Sequence, residues 1–327
     1  MGHANHNAWR IPAALIVTLT GACVFLPTGR AVADDYPTRA ITLIVPYPAG
    51  GGVDNSARVV AQKLGAALGQ QIIIENRPGA GAVIGTRAAA KAAPDGYTLV
   101  MLTTGISLPA NTGYDMKDFA PVGMISSTPI VLMAGAAFPA TSLAEVIALA
   151  KKEPGKLTVG TPPPPTLNYF AAELLKVMTG ADTTIVTYKG TGPLTNDLVG
   201  GHVSLGFNTI APALGNIQAG KLRAIAVAAP KRAAALPDVP TAAESGLPGF
   251  EAVLYYGIAA PGGTPRAIIE RLAAALRAVV TSEETAKRIV ADGGDPAAST
   301  PEEYAENIAR EEAKWAALIK RLGLVIN

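Results

Sequence analysis

One cysteine, three histidines and aromatic residues at 5% are all that 327 residues offer to redox, metal or stacking chemistry. Cys23, His3 and His6 stand within the first 33 residues. That opening reads as a leader: a basic start through Arg10, an apolar core from Ile11 to Leu26, and Ala31-Val32-Ala33 as a cleavage site. The core is too short for a membrane span. Gly21-Ala22-Cys23 offers an alternative, a lipid-anchored cysteine, for which Thr20 is a poor neighbour. Cleavage after Ala33 leaves 294 of the 327 residues, without cysteine and with His202 alone. A disulfide framework, a thiol nucleophile and a paired-histidine metal site are thereby excluded. Loss of Arg10 and Arg30 leaves 25 bases against 25 acids, no excess to attract nucleic acid or an anionic membrane. GxSxG, HExxH, GxGxxG and the P-loop are missing too, and neither catalysis nor a cofactor is expected.

What is present is alternation. Ile41–Val45, Gln71–Glu75 and Tyr97–Leu102 read as strands, with helices over Asn55–Leu68 and Ala82–Ala93 between them. This βαβαβ start argues for a parallel sheet covered by helices. A second series follows. Thr141 or Ser142 caps a helix to Lys152 with Glu145 placed for a capping box. Strands at Leu157–Gly160, Thr183–Tyr188, Val203–Phe207 and Leu222–Ala228 alternate with helices at Asn168–Thr179 and Pro193–Val199. Two apolar segments, Val122–Ala134 and Phe250–Ala260, read as crossings between the series, and the tail is helical over Pro265–Val280, Ser282–Ala291 and Pro301–Leu322. Two α/β lobes joined by two crossings imply a cleft, with ligands at the carboxyl ends of strands. The expected partition is 1–33 leader, 34–128 first lobe, 129–250 second lobe and 251–327 a return to the first.

Five loops occupy strand ends. The first, Pro46-Tyr47-Pro48-Ala49-Gly50-Gly51-Gly52-Val53-Asp54, is the most unusual. Consecutive glycines let backbone N–H groups converge at a helix start, which attracts an anion; they also serve as a plain flexible turn. Phosphate, carboxylate and turn-making all remain open on this loop alone. Asp54 reads as the helix N-cap. Thr103, Thr104 and Ser107 bring hydroxyl donors around Gly105. Thr161–Asn168, Lys189-Gly190-Thr191-Gly192 and Asn208-Thr209 are the other three. Arg58 and Lys189 are the cations nearest these loops, each equally at home in a surface salt bridge. His202, after two glycines, reads as a turn residue.

YPTRAITLIVPYPAGGGVD, ENRPGAGAVIGTRAAAKAAPDGYTL, KDFAPVG, TYKGTGPLTNDLVGG, AGKLRAIAV, LPDVPTAAESGLPGFE and APGGTP occur in order across nearly the whole chain after residue 33. In these segments the chain resembles the Bug-type receptors, extracytoplasmic solute-binding proteins of tripartite tricarboxylate transporters. The resemblance implies an α/β, two-lobed periplasmic binding protein of the Venus-flytrap type, type II-like, with a ligand cleft between the lobes. It implies a non-enzymatic, monomeric periplasmic receptor for a small organic carboxylate, serving membrane transport subunits, with no nucleic acid partner. A periplasmic sensor handing its signal to a membrane kinase would use the same lobes. The opening loop is thereby read as a carboxylate site. Tyr47, Gly51, Gly52 and Asp54 match the family motif, Thr103 and Thr104 more loosely, and Ser107 belongs to the same hydroxyl loop.

The chain departs from that pattern twice. Where the family has a Ser/Gly-rich loop and a His, this chain has Thr161, four prolines, Thr166, Leu167, Asn168 and Tyr169. Prolines supply no N–H donors, so polar work there falls to Thr161, Thr166 and Asn168. Where the family often has Phe-Asp-Asn, this chain has Phe207-Asn208-Thr209. Losing that acid at Asn208 predicts weaker preference for amino acids and more for uncharged-body carboxylates, aromatic ones included. Tyr188, Gly190, Thr191 and Asn208 complete the expected second-lobe contacts.

Overall fold

The run ITLIV becomes β1 (Ile41–Val45), buried apart from Thr42, as suits a strand covered on both faces. Its end at Pro46 leads through the glycines into α1 (Gly52–Leu68). Ala57, Val60, Ala61, Leu64 and Leu68 recur at helical spacing and form the buried face of α1. Each such leucine or valine contributes ~1.5–3 kcal/mol on full burial. The remaining first-series elements are β2 (Ile72–Asn76), α2 (Val83–Ala90) and β3 (Thr98–Thr103), each within a few residues of expectation. The structure, a computed structural model, describes residues 1–2, 35–50, 52–105, 112–164 and 166–324. The leader read over residues 1–33, with Cys23, falls almost wholly outside that set, as do Gly51 and Ser107. The chain divides into the units Met1–Asp35 and Tyr36–Asn327, and both sheets belong to the second.

The crossing expected over Val122–Ala134 is two strands, β4 (Phe119–Pro129) and β5 (Val131–Gly135). After them come α3 (Leu143–Lys152), β6 (Thr158–Thr161), α4 (Leu167–Thr179), β7 (Thr184–Thr187), α5 (Thr191–Gly200), β8 (Leu205–Asn208), α6 (Leu214–Gln218) and β9 (Leu222–Val227). Ser142 and Glu145 form the expected capping box on α3. The second crossing is β10 (Val253–Pro261), followed by α7 (Arg266–Thr281), α8 (Glu283–Ala291), β11 (Asp295–Pro296) and α9 (Pro301–Leu322). Neither α6 nor β11 is apparent in the sequence, being too short for a periodic signal.

The sheets have orders β11-β4-β10-β3-β1-β2 and β7-β6-β8-β5-β9. Leaving out β11, they share one plan: β1, β2 and β3 occupy the places of β6, β7 and β8. Each sheet is parallel in its βαβ part, as in Leu43 opposite Leu99 and Val159 opposite Leu205. Each also takes one antiparallel strand beyond its third βαβ strand, β10 in the first and β5 in the second. At the crossings, Ile130 N donates to Ala252 O (2.9 Å), Ala252 N to Ala228 O (2.8 Å) and Ala228 N to Ile130 O (2.9 Å).

Residues 251–327 do not simply return to the first lobe. Helix α9 begins there, with Tyr304 lying on Gly257 of β10, where any Cβ would overlap the phenol ring. Three turns later Trp315 is fully buried in the second lobe's core, stacked on Phe170 of α4 at 5.9 Å. A 22-residue helix is about 33 Å long, enough to reach both lobes.

Candidate ligand-binding site

A cavity of about 420 Å³ opens between the lobes. Its first-lobe wall is the start of α1, with Gly50, Gly52, Asn55 and Ser56. Its second-lobe wall is Thr191, the first residue of α5, with Thr209, Ala211 and Pro212 after β8. Ser126 and Thr128 of β4 line it from between these walls with Tyr256 of β10; two-residue alternation puts both hydroxyls on one face of the strand. Ile289, Asp292 and Gly294 close one side. No lysine or arginine lines the cavity among the described residues. Two helix N-termini border it instead, each equivalent to about half a positive charge.

The α1 start is braced from behind. Asp54 is the third helical residue, not the N-cap, because the helix begins earlier than its apolar pattern, at Gly52. Its carboxylate reaches back: Oδ2 accepts from Gly50 N and Arg58 Nε, both at 2.8 Å, and Oδ1 accepts from Asn76 Nδ2 at 2.9 Å. Burial alone would raise this carboxyl, but the bonds from Arg58, the Gly50 amide and Asn76 outweigh it and hold it at about 2. Asp54 is only 1% exposed and does not line the cavity. The Tyr256 hydroxyl closes over the same turn, 3.5 Å from the position a Cβ on Gly52 would take. Burial, followed by the neighbouring Tyr47, pushes that phenol well above its ordinary value, so it remains a neutral donor.

The α5 start is built differently. Gly190 is its N-cap at φ 109°, ψ 176°, a conformation open essentially to glycine, and supplies no capping side chain. Pro193, the third helical residue, has no N–H, which leaves the amides of Thr191 and Gly192 in the first turn.

Gly52 and Thr191 are therefore brought together across one cavity. Other expected ligand residues lie elsewhere, and local hydrogen bonding explains where. The Tyr47 hydroxyl is 2.8 Å from Thr103 Oγ1. Thr104 Oγ1 donates to Val253 O and accepts from Tyr255 N, tying β3 to β10. Thr103 and Thr104 thus sit over a separate small pocket. Thr166 Oγ1 caps α4 by accepting from Tyr169 N. Thr161 is wholly buried and its Oγ1 has no partner. The Tyr188 hydroxyl donates to Asp197 at 2.9 Å. Asn208 is also wholly buried: Nδ2 donates to Thr195 Oγ1 (3.0 Å) and Oδ1 accepts from Thr209 N (2.8 Å). Asn208 does not line the cavity, and its carbonyl oxygen and one amide hydrogen are held within the second lobe. Arg58 is spent on Asp54, and neither Lys189 nor His202 lines the cavity.

Among the polar residues lining the cavity, Ser126, Thr128, Tyr256 and Asp292 lie outside the loops expected from the sequence, whereas Thr209 belongs to one of them. Ser126-Ser127-Thr128 does interrupt an otherwise apolar crossing, which is a signal. Asp292, at a helix end among ordinary surface residues, carried none.

The family model described as tripartite tricarboxylate transporter family receptor matches residues 56–324. The chain is 36% identical to protein BugT of Bordetella pertussis over 324 residues, covering 97% of this chain and 98% of that one. Among solved structures, an R. palustris protein with adipate aligns at TM-score 0.78 and 34% identity, over 88% of this chain and 99% of that one. MatC from Rhodopseudomonas palustris with bound malate aligns at 0.74 and 32%, over 87% and 100%. These likenesses bear out the two-lobed periplasmic binding protein fold.

Proposed function

The chain belongs to the tripartite tricarboxylate transporter receptor family, whose members are solute-binding receptors rather than enzymes, and on that premise we propose that it captures a small organic carboxylate between its lobes for a transporter of that type. Membership implies a periplasmic location. The observation that carries the ligand class is the cavity wall: two helix starts, Gly52 and Thr191, bordering one space from the two lobes, with Ser126, Thr128 and Tyr256 beside them and no lysine or arginine among the described residues. Such a wall suits a carboxylate, which backbone amides and hydroxyls hold without a buried counter-charge. The two relatives named with adipate and malate support the same class. Closure is a hinge motion at Ile130, Ala228 and Ala252, and the closed form is what membrane subunits recognise. The leader ends at Ala33, and the mature receptor is a monomer. Intact mass of the exported protein tests the first, and light scattering the second.

The decisive experiment is thermal unfolding against citrate, succinate, aspartate, glutamate, nicotinate, benzoate and terephthalate. A ligand at a hundredfold over its Kd adds roughly 2.7 kcal/mol, a plainly raised midpoint. A midpoint unmoved by every one of them would overturn the carboxylate reading.

A further inference from the structure

We infer that Ser126, Thr128 and Tyr256 form a hydroxyl floor that selects the carboxylate by the hydroxyl groups on its carbon body, so that the ligand is a hydroxylated carboxylate and not an alkyl or aromatic one. The inference rests on the carboxylate reading above and adds what that reading leaves open, the chemistry of the body. Ser126, Thr128 and Tyr256 are only 2%, 6% and 7% exposed, and among the described residues lining the cavity they are the buried ones that carry a hydroxyl. None of the three hydroxyls has a hydrogen-bond partner among the described residues. Hydroxyls of like burial elsewhere are committed inside the protein: Thr86 donates to Ala82 O, Thr195 to Thr191 O and Thr264 to Pro261 O. Thr161 and Thr183 also lack partners, but their oxygens are sealed in, whereas those of the floor open on the cavity.

The pairing of β4 with β10 fixes how the three are set out. Ser126 stands directly opposite Tyr256, and Thr128 is two residues along the same face of β4, its Cα roughly 7 Å from that of Ser126. The Tyr256 ring carries its hydroxyl to the α1 start, beside Gly52, while Thr128 Oγ1 lies 3.1 Å from the position a Cβ on Gly294 would take. A carboxylate at the α1 start accepts from the neutral Tyr256 phenol, but a single carboxylate does not serve hydroxyls spread this far. Serine and threonine hydroxyls both donate and accept, which is the counterpart of a hydroxyl on the ligand. A methylene or an aromatic C–H against Ser126 and Thr128 would leave two buried oxygens without a bond once the cleft shuts out water. A site built to bond a ligand hydroxyl rejects the analogue that lacks it for this reason.

The test is calorimetric titration of the full chain, of Ser126→Ala and of Thr128→Val with two series whose members differ only in hydroxyl groups: hexanoate and gluconate, and succinate, malate and tartrate. Benzoate is titrated beside them. Neither substitution removes a hydrogen bond within the protein, so both variants should unfold at a midpoint equal to or above that of the unaltered protein. In the unaltered protein a hydroxylated member of the series that fits should bind at least about tenfold more tightly than the plain one. That preference should fall about fivefold in at least one of the two variants, with the plain carboxylate bound no more weakly than before. A plain carboxylate that binds the unaltered protein as tightly as its hydroxylated counterparts, or a preference unchanged in both variants, would overturn this inference alone. So would binding of benzoate with no member of either series. Binding by none of these carboxylates would overturn it together with the carboxylate reading.

Discussion

The two lobes repeat one strand plan, yet they present different loops of that plan to the cleft. In the first lobe the helix after the first strand, α1, lines the cavity through Gly50 and Gly52. Its counterpart in the second lobe, α4, contributes nothing to the lining, and the helix after the next strand, α5, enters instead through Thr191. Capping accounts for the difference. Thr166 accepts from Tyr169 N and so spends one first-turn donor of α4 on its own side chain. The starts of α1 and α5 are glycine-built, and α5 has no side-chain cap. In the second lobe, then, the helix start that lines the cavity is the one without a side-chain cap; in the first, the Gly50 amide before α1 is already held by Asp54. The lobes also differ in bracing: α1 has a buried carboxylate behind it, while α5 depends on the backbone of one glycine.

The sharpest way to break the comparison is to remove the brace. Asp54→Ala strands the Gly50 amide, the Asn76 amide and the Arg58 guanidinium at once and should cost about 3 kcal/mol in denaturant unfolding. Ligand affinity should fall with it, because Gly50 and Gly52 lose their anchor. The carboxyl is held at about 2 when folded, against roughly 3.9 when unfolded. Its contribution of about 2–3 kcal/mol is therefore complete above pH 4 and disappears as pH falls toward 2. Asp54→Asn should make the acid side of a stability–pH profile visibly shallower. An unchanged profile would mean that the brace does not hold.

The second-lobe helix starts should respond in opposite ways. Gly190→Ala forces a side chain into φ 109°, ψ 176° and should cost roughly 1–3 kcal/mol while shifting the α5 start and weakening ligand binding. Thr166→Ala removes a cap worth about 1 kcal/mol and should leave ligand affinity where it was. Equal losses of affinity in the two variants would sink the view that capping decides which helix serves the cleft.

How much of this the sequence discloses follows from the range of each signal. Apolar runs, glycine stops and the Ser142–Glu145 box are local, and they placed the strands and helices within a few residues. Resemblance across ordered motifs supplied the lobes. The cavity wall is not local. Asp292 is 101 residues from Thr191 and more than 200 from Gly52, and only the folding of both lobes sets them around one space. Tyr256 reads as one more apolar residue of a crossing strand until its hydroxyl is found over the α1 start. Asn208 misleads the other way. Its position after a strand is right for a ligand contact, but periodicity does not say that Thr195 stands close enough to take its amide. Helix α9 shows the same limit, since a continuous amphipathic pattern does not reveal that its two ends pack on different lobes.

The smallest effect tests the proline loop. Thr161 ends β6, as Val45 ends β1 in the first lobe, and its hydroxyl is buried with no partner. A buried hydroxyl without a bond costs more than a methyl group of the same shape, so Thr161→Val should be neutral or stabilise by about 0.5–1 kcal/mol. Ligand affinity should not change, because neither Thr161 nor the described prolines after it line the cavity. A stabilised variant with full affinity would leave the α5 start, Thr209 and the Ala211–Pro212 turn as the second lobe's share of the site. A stabilised variant with weakened binding would mean that the Thr161 hydroxyl turns to the ligand on closure. The loop after β6 would then take the place that the loop after β1 holds in the first lobe, and the two halves of the cleft would be equivalent after all.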